Sequence, residues 1–326
     1  VEILSVVFLV AGLVLLIVGA ESMVRGASRL AESLGVSPLV VGLTVVAFAT
    51  SAPELAVTLT AAAKGTGDLA FGNVIGSNLF NILVILGLSA VVAPLWVDRK
   101  LIRVDVPIMI GVSVVAGIMA LDGSIGRLDG FVLVAGLVGY LLLSLRLERS
   151  RMKDVASGKT EAQNAQAIED RKGVSWRTPA WSVFLVVAGL VLLVLGSHWL
   201  VTGSVAIARV LGISERVIGL TLVAGGTSLP ELATSIMASI RGQRDIAVGN
   251  LVGSNLFNLL CVLGLASLVL PVPVNDQALH LDVPVMIGSA IICLPIFARG
   301  HRIFRTEGAL LLACYGAYLT WILVAR

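Results

Sequence analysis

Charge is scarce in this 326-residue chain: Asp, Glu, Lys and Arg make up 13%, against about 25% in ordinary soluble domains. With hydrophobic residues at 57% and a mean hydropathy of +1.01, too little polar surface is left to cover a soluble fold. Aromatics stand at 5%, no Lys/Arg-rich block interleaves with them, and the net charge is only +3. Nucleic acid is thereby excluded as a partner. Cysteine is nearly absent, and the three present, Cys261, Cys293 and Cys314, lie in apolar runs. An odd number so placed is no disulfide framework. What remains is a polytopic membrane protein.

A spanning helix needs about 20 apolar residues. Ten segments qualify, roughly 3–20, 36–63, 70–93, 101–121, 128–147, 179–199, 213–239, 247–270, 281–298 and 304–325. The run from Ile3 to Ala20 is uncharged, has no basic segment before it, and exceeds the roughly 7–15 residues of a signal-peptide core. It is expected to be a first transmembrane helix. Between the fifth and sixth segments lies one hydrophilic stretch, 148–178, whose mixed charges, Gly, Ser and Gln suit a solvated connector or short surface helix. Orientation follows the basic residues. With the N-terminus outside, all of the 23 Lys and Arg except Lys64, Arg127, Arg209, Arg216 and Arg326 fall on the cytoplasmic side. Both termini outside and a cytoplasmic connector, in the cell membrane, is the expected topology.

The strongest feature is internal. "GLTVVAFATSAPELAVTLTAAAKGTGDLAFGNVIGSNLFNILVILGLS" begins at Gly42, and "GLTLVAGGTSLPELATSIMASIRGQRDIAVGNLVGSNLFNLLCVLGLA" begins at Gly219. Aligned without gaps at an offset of 177, 27 of 48 positions are identical. The same offset relates Gly12 to Gly189, Gly19 to Gly196, and "DVPIMIG" from Asp105 to "DVPVMIG" from Asp282. Two copies of one five-helix unit explain this, 1–147 and 179–326. Because five is odd, the second copy starts on the opposite side of the membrane. The expected fold is therefore all-α, ten transmembrane helices as two inverted five-helix repeats, an arrangement many secondary transporters use.

Each copy carries a polar, broken helix centre, "ATSAPEL" from Ala49 and "GTSLPEL" from Gly226. Pro53 and Pro230 lack the N–H that would bond the carbonyls of Ala49 and Gly226. In hydrocarbon such carbonyls need another partner, and a cation is one; a plain proline kink is the bland alternative. Glu54 and Glu231 follow the prolines near mid-span with no basic residue close in sequence. A charge at that depth costs about 2.5–3.5 kcal/mol on insertion scales, which makes it a functional residue by default. Thr50 and Ser51 lie four and three residues before Glu54, on its helical face; Thr227 and Ser228 repeat this before Glu231. The next helix adds Asn73, Ser77 and Asn81, matched by Asn250, Ser254 and Asn258. Gly72, Gly76, Gly249 and Gly253 between them suit close helix approach.

An oxygen cluster with two carboxylates suits the hard cations Ca²⁺ and Na⁺, and His198, His280 and His301 fall outside it. Its two negative charges balance one Ca²⁺ or two Na⁺, which is the physical basis for exchange of one load against the other. These ions would be substrates; no resident cofactor and no enzyme chemistry is expected.

At these residues the chain resembles the cation/calcium exchanger superfamily, with "GLTVVAFATSAPELAVTL" and "GNVIGSNLFNILVILG" and their duplicates similar to its two alpha-repeats, the prokaryotic sodium/calcium exchangers above all. The resemblance spans nearly the whole chain. It implies that Glu54 and Glu231 coordinate Ca²⁺ with the backbone carbonyls of Thr50 and Thr227. It further implies sodium sites from Ser51, Ser228, Ser77, Ser254 and the carbonyls of Ala47 and Ala224, with Asn81 and Asn258 at the central level. Sodium would move inward against calcium outward as the helices at 3–20 and 179–199 slide over an eight-helix core. One departure is Asn258, where several members carry Asp; potassium independence is the expectation. A proton/calcium antiporter of the same superfamily is the alternative, and a cation channel or an intramembrane hydrolase are the competing classes. Ser51 and Ser228 have no histidine near them in sequence, which counts against the hydrolase.

Overall fold

The structure, a computed structural model, describes residues 3–156, 177–212 and 224–324. Long apolar stretches form helices because lipid offers the backbone no hydrogen-bond partners. In order they are α1 (Ile3–Leu34), α2 (Pro38–Thr50) and α3 (Ala52–Ala63), α4 (Gly67–Val92) and α5 (Leu101–Asp122), then α6 (Arg127–Ala156) and α7 (Arg177–Val210). The second half continues with α8 (Ala224–Gly226), α9 (Leu229–Ile240), α10 (Arg244–Val269), α11 (Ala278–Ala298) and α12 (Arg305–Val324). Among the described residues, seven helices are long and apolar enough to cross a membrane, and eight if α2 and α3, bent by 44°, count as one span. Together they make an integral, multi-pass membrane protein.

The helices depart from the expected segments in three places. α1 does not stop near Ala20, because Met23, Val24, Gly26, Ala27, Leu30 and Ala31 keep a buried face at helical spacing as far as Leu34. α7 likewise runs on to Val210. The hydrophilic stretch begins inside α6, and Glu148 is buried rather than solvated. Its Oε1 accepts the backbone N–H of Ser37 at 2.7 Å, one of the free donors at the start of α2. Residues 157–176 of that stretch, and 213–223 of the segment expected at 213–239, lie outside the described residues.

α4 and α10 form the buried centre, whereas α1 turns Val7, Val10, Val14 and Ile17 outward, an apolar face suited to lipid. α1 and α7 lie antiparallel along a seam of glycines seven residues apart, Gly12, Gly19 and Gly26 against Gly189, Gly196 and Gly203. A Cβ added at Gly12 would lie 2.8 Å from the Gly196 carbonyl oxygen, and one at Gly196 2.9 Å from that of Gly12. Gly19 and Gly189 approach each other's carbonyls in the same way, at 2.9 and 2.8 Å. In terms of the offset of 177, Gly12 thus faces the copy of Gly19, and Gly19 the copy of Gly12.

The same crossing recurs at the helix ends. β1 (Leu95–Trp96) pairs antiparallel with β4 (Arg302–Ile303), and β2 (Ser124–Ile125) with β3 (Val272–Pro273). Each two-residue strand therefore takes its partner from the other half of the chain.

Candidate cation site

The site is built where two helices break. α2 ends and α3 begins at Ser51 (φ −79°, ψ 4°), and α9 begins after Ser228 (φ −89°, ψ 8°). Pro53 and Pro230 sit in the first turn of the new helix, where a missing N–H costs nothing. Glu54 and Glu231 follow in the same turn, so the unpaired N–H groups and positive dipole end of α3 and α9 favour their carboxylates. Neighbouring helices hold these turns in place. Asn73 Nδ2 on α4 donates to Thr58 Oγ1 at 2.9 Å and reaches the Glu54 carbonyl at 3.5 Å. Asn250 on α10 does the same to Ser235 Oγ at 3.0 Å and the Glu231 carbonyl at 3.5 Å.

The two halves are joined by crossed hydrogen bonds. Ser51 Oγ donates to Glu231 Oε1 at 3.1 Å, and Ser228 Oγ donates to Glu54 Oε1 at 2.8 Å. Thr50 Oγ1 also crosses, donating to Asn250 Oδ1 at 3.1 Å. Both carboxylates are 1% exposed, and the structure thus gathers Glu54, Glu231, Ser51, Ser228 and Thr50 into one centre. Glu54 Oε2 and Glu231 Oε2 are buried without a hydrogen-bond partner among the described residues, as are Ser77 Oγ and both polar atoms of the Asn81 amide on α4, and Ser254 Oγ and Asn258 Oδ1 on α10. Orphaned buried oxygens are costly, and one on each of two cross-linked carboxylates fits a site whose remaining partner is a hard, oxygen-seeking cation. No cluster of three or more His, Cys, Asp or Glu occurs among the described residues; the negative charge of this centre comes from two glutamates, and the rest of the oxygens are neutral.

The freed carbonyls turn out differently from expectation. Gly226 O, released by Pro230, accepts the Ser197 hydroxyl of α7 at 2.5 Å, so one carbonyl is already partnered within the protein. The counterpart of Ser197 in the first half is Ala20, which has no hydroxyl to offer Ala49. The Ala47 carbonyl accepts the Ser51 N–H at 3.0 Å and, more weakly, Thr50 Oγ1 at 3.4 Å. Ala224 opens α8 with its backbone, two residues before Gly226. Gly249 and Gly253 approach α2 as expected, a Cβ at each lying 2.9 Å from Leu39 O and 2.6 Å from Leu43 O. The residues that would face Gly72 and Gly76 by the same offset fall within 213–223.

Two asparagines escaped the sequence pattern. Asn78 Oδ1 accepts Asn258 Nδ2 at 3.2 Å, and its counterpart Asn255 is equally buried. They were legible only as part of the duplicated "GSNLFN", one residue off the stripe of Ser77 and Asn81. Nor did periodicity reveal the π-helical turns Phe80–Leu86 and Asn258–Leu263, which carry Asn81 and Asn258. Such turns insert one residue into a helix and are frequent at functional sites.

A cavity of about 220 Å³ opens beside the centre, lined by Pro53 of α3, by Ser197, His198 and Val201 of α7, and by Gly226 and Thr227. Four of the counterparts on the other side, Ala20, Val24, Ala49 and Thr50, are buried, while Glu21 is half-buried and Ile17, the counterpart of Val194 in the cavity wall, is exposed.

Against known proteins, the chain matches the sodium/calcium exchanger protein family over residues 4–146 and 181–324. The chain belongs to that family. The exchanger is 37% identical to the putative antiporter CaxA of Alkalimonas amylolytica, covering 96% of this chain and 97% of that one. It is 31% identical to the sodium/calcium exchanger MaX1 of Methanosarcina acetivorans, over 95% of this chain and 96% of the other. The solved structure of the sodium–calcium exchanger NCX_Mj soaked with 10 mM Na⁺ and 10 mM Sr²⁺ superposes over the full length of both chains, with a TM-score of 0.82 and 31% identity. This exchanger is accordingly a membrane transporter and not an enzyme.

Proposed function

We propose that the exchanger is a secondary antiporter that moves Na⁺ against Ca²⁺ by alternating access. The observation that carries this reading is the crossed pair at the centre. Each glutamate accepts a serine hydroxyl from the other half and keeps its second oxygen unpaired in a buried setting. Two carboxylates in low dielectric require about two positive charges, met by one Ca²⁺ or two Na⁺ but not by both loads together. Glu54, Glu231 and the carbonyls of Thr50 and Thr227 would hold Ca²⁺. Ser51, Ser228, Ser77, Ser254 and the carbonyls of Ala47 and Ala224 would serve Na⁺, with Asn81 and Asn258 between them. The names of MaX1 and NCX_Mj are consistent with these two ions.

The reading extends to ten spans in two inverted five-helix repeats, 1–147 and 179–326, joined by a cytoplasmic connector at 148–178 with both termini outside. Support comes from the family match, whose two intervals begin 177 residues apart, and from the crossed seams and strand pairs. A contact in which a position meets its neighbour's copy is what a two-fold axis between repeats produces. α9, preceded by 213–223, and α12 would supply the spans beyond the eight long apolar ones.

Ca²⁺ flux into proteoliposomes under imposed gradients of Na⁺, K⁺ and H⁺, varied one at a time, tests the coupling. Flux driven by Na⁺ alone and indifferent to K⁺ is expected. Flux driven only by a pH gradient would replace this reading with proton/calcium antiport. Acid should also inhibit: a proton on Glu54 or Glu231 removes a charge that Ca²⁺ needs, so the apparent KM for Ca²⁺ rises as pH falls while the maximal rate is recovered at saturating Ca²⁺. Acid inhibition that excess Ca²⁺ fails to relieve would count against competition at these carboxylates.

A further inference from the structure

The two sides of the site are closed by different chemistry. On one side α1 packs along α9, and the contact ends in an ion pair. Arg241, the residue that caps α9, donates Nε to Glu21 Oε2 and brings Nη2 to Glu21 Oε1, each at 2.8 Å. Arg25, one turn along α1, also bonds Glu21 Oε1. The Glu21 side chain is only 17% exposed; two residues on from Gly19, it lies on the face of α1 turned away from the glycine seam. A two-pronged guanidinium–carboxylate contact is the ion-pair geometry that fixes orientation as well as distance.

At the offset of 177 the counterpart of Glu21 is His198, and that of Arg241 is Lys64. Neither is an acid, so this pair has no salt bridge to make. Here Lys64 is exposed, and His198 lines the cavity that runs between Pro53 of α3 and α7 to Thr227. Ala20 and Val24 beside Glu21 are buried at 1% and 2%; of their counterparts, which line that cavity, Val201 is half-buried, while Ser197, held to the Gly226 carbonyl, is 8% exposed. The shut side is thus the side with complementary charges, and the open side is the one without them.

We propose that Glu21 and Arg241 are positioning residues of the exchange cycle. Their ion pair holds α1 against α9 and keeps the site shut on the membrane face that carries Arg241, and it must part each time the site opens there. The face that carries Lys64 closes without such a latch, so the two access states are unequally stable by construction. This rests on the alternating-access reading above.

A latch that touches no ion alters only the balance between two access states, and therefore moves the apparent affinities at the two faces relative to one another. Glu21→Gln and Arg241→Gln should each change the ratio of the Ca²⁺ KM values measured at the two faces of oriented vesicles. The expected change is about two- to fivefold, the scale of an ion pair open to solvent on its arginine side, with tighter apparent binding at the Arg241 face. The charge-swapped E21R/R241E chain should return the ratio toward that of the parent. A ratio unchanged in both single variants, or KM values that rise equally at both faces, overturns the latch. A second measurement reads the latch without transport: a cysteine placed at Ala49 should react faster with a membrane-impermeant maleimide, applied from the Arg241 face, once Glu21→Gln is introduced. An unchanged labelling rate also overturns it. Failure of the parent chain to exchange Na⁺ for Ca²⁺ refutes the assigned ions, while the labelling still decides the latch.

Discussion

Glu54→Gln and Glu231→Gln should each lower Na⁺-dependent Ca²⁺ flux by at least about a hundredfold. A unit charge about 4 Å from a cation contributes on the order of 4 kcal/mol at an effective dielectric near 20, and each 1.4 kcal/mol is a factor of ten in affinity. Both carboxylates are fully enclosed, so no solvent screening softens the loss. The substitution is a clean one, because the glutamine Oε1 still accepts the serine hydroxyl that Glu54 takes from Ser228 and Glu231 takes from Ser51. The joint between the halves survives and only the charge is removed. Purified variants should therefore remain monodisperse with unchanged helical content while ⁴⁵Ca²⁺ uptake is lost. Near-normal exchange in either variant would remove the two glutamates from the site.

Much of this site is legible in the sequence because it is written twice. The constant offset of 177 isolates Glu54 and Glu231, and the scarcity of other mid-span charge makes them stand out. Partnership is what the duplication hides. Ser51 lies three residues before Glu54 and invites pairing on one helical face, yet it donates to Glu231, 180 residues away. The break at Ser51 turns the face of α2 away from that of α3, and the two broken helices meet each other's serines instead. The same holds for Gly226, whose carbonyl is freed by a local proline but claimed by Ser197 on another helix. The length of α1 was hidden for a different reason. Glu21 and Arg25 look like the end of an apolar span, whereas Glu21 bonds both Arg25 and Arg241 while the opposite face stays buried. Local pattern gives composition and breaks; which copy supplies a partner depends on how the two halves face one another.

The glycine seam should govern speed rather than affinity. Gly12 and Gly196 each place a backbone hydrogen where a Cβ would lie within 2.9 Å of the other's carbonyl oxygen, tighter than real Cβ contacts. Gly12→Ala with Gly196→Ala must therefore push α1 and α7 apart, at a cost typical of overpacking, about 1–3 kcal/mol. No site oxygen lies on this seam, since the serines, glutamates and asparagines of the centre come from α2, α3, α4, α9 and α10 and the turn before α9. The double variant should accordingly lower the maximal exchange rate about tenfold or more while the Ca²⁺ KM stays within about twofold. Gly139→Ala and Gly288→Ala, where an added Cβ meets no described atom within 4 Å, are the controls and should leave both constants unchanged. The expectation follows from close packing: two long helices whose backbones touch have one low-energy register, and smooth passage between registers needs glycine at every point of contact. A KM change without a rate change would mean instead that the seam shapes the cation site. In that case α1 and α7 would belong to the binding machinery rather than to the moving parts around it.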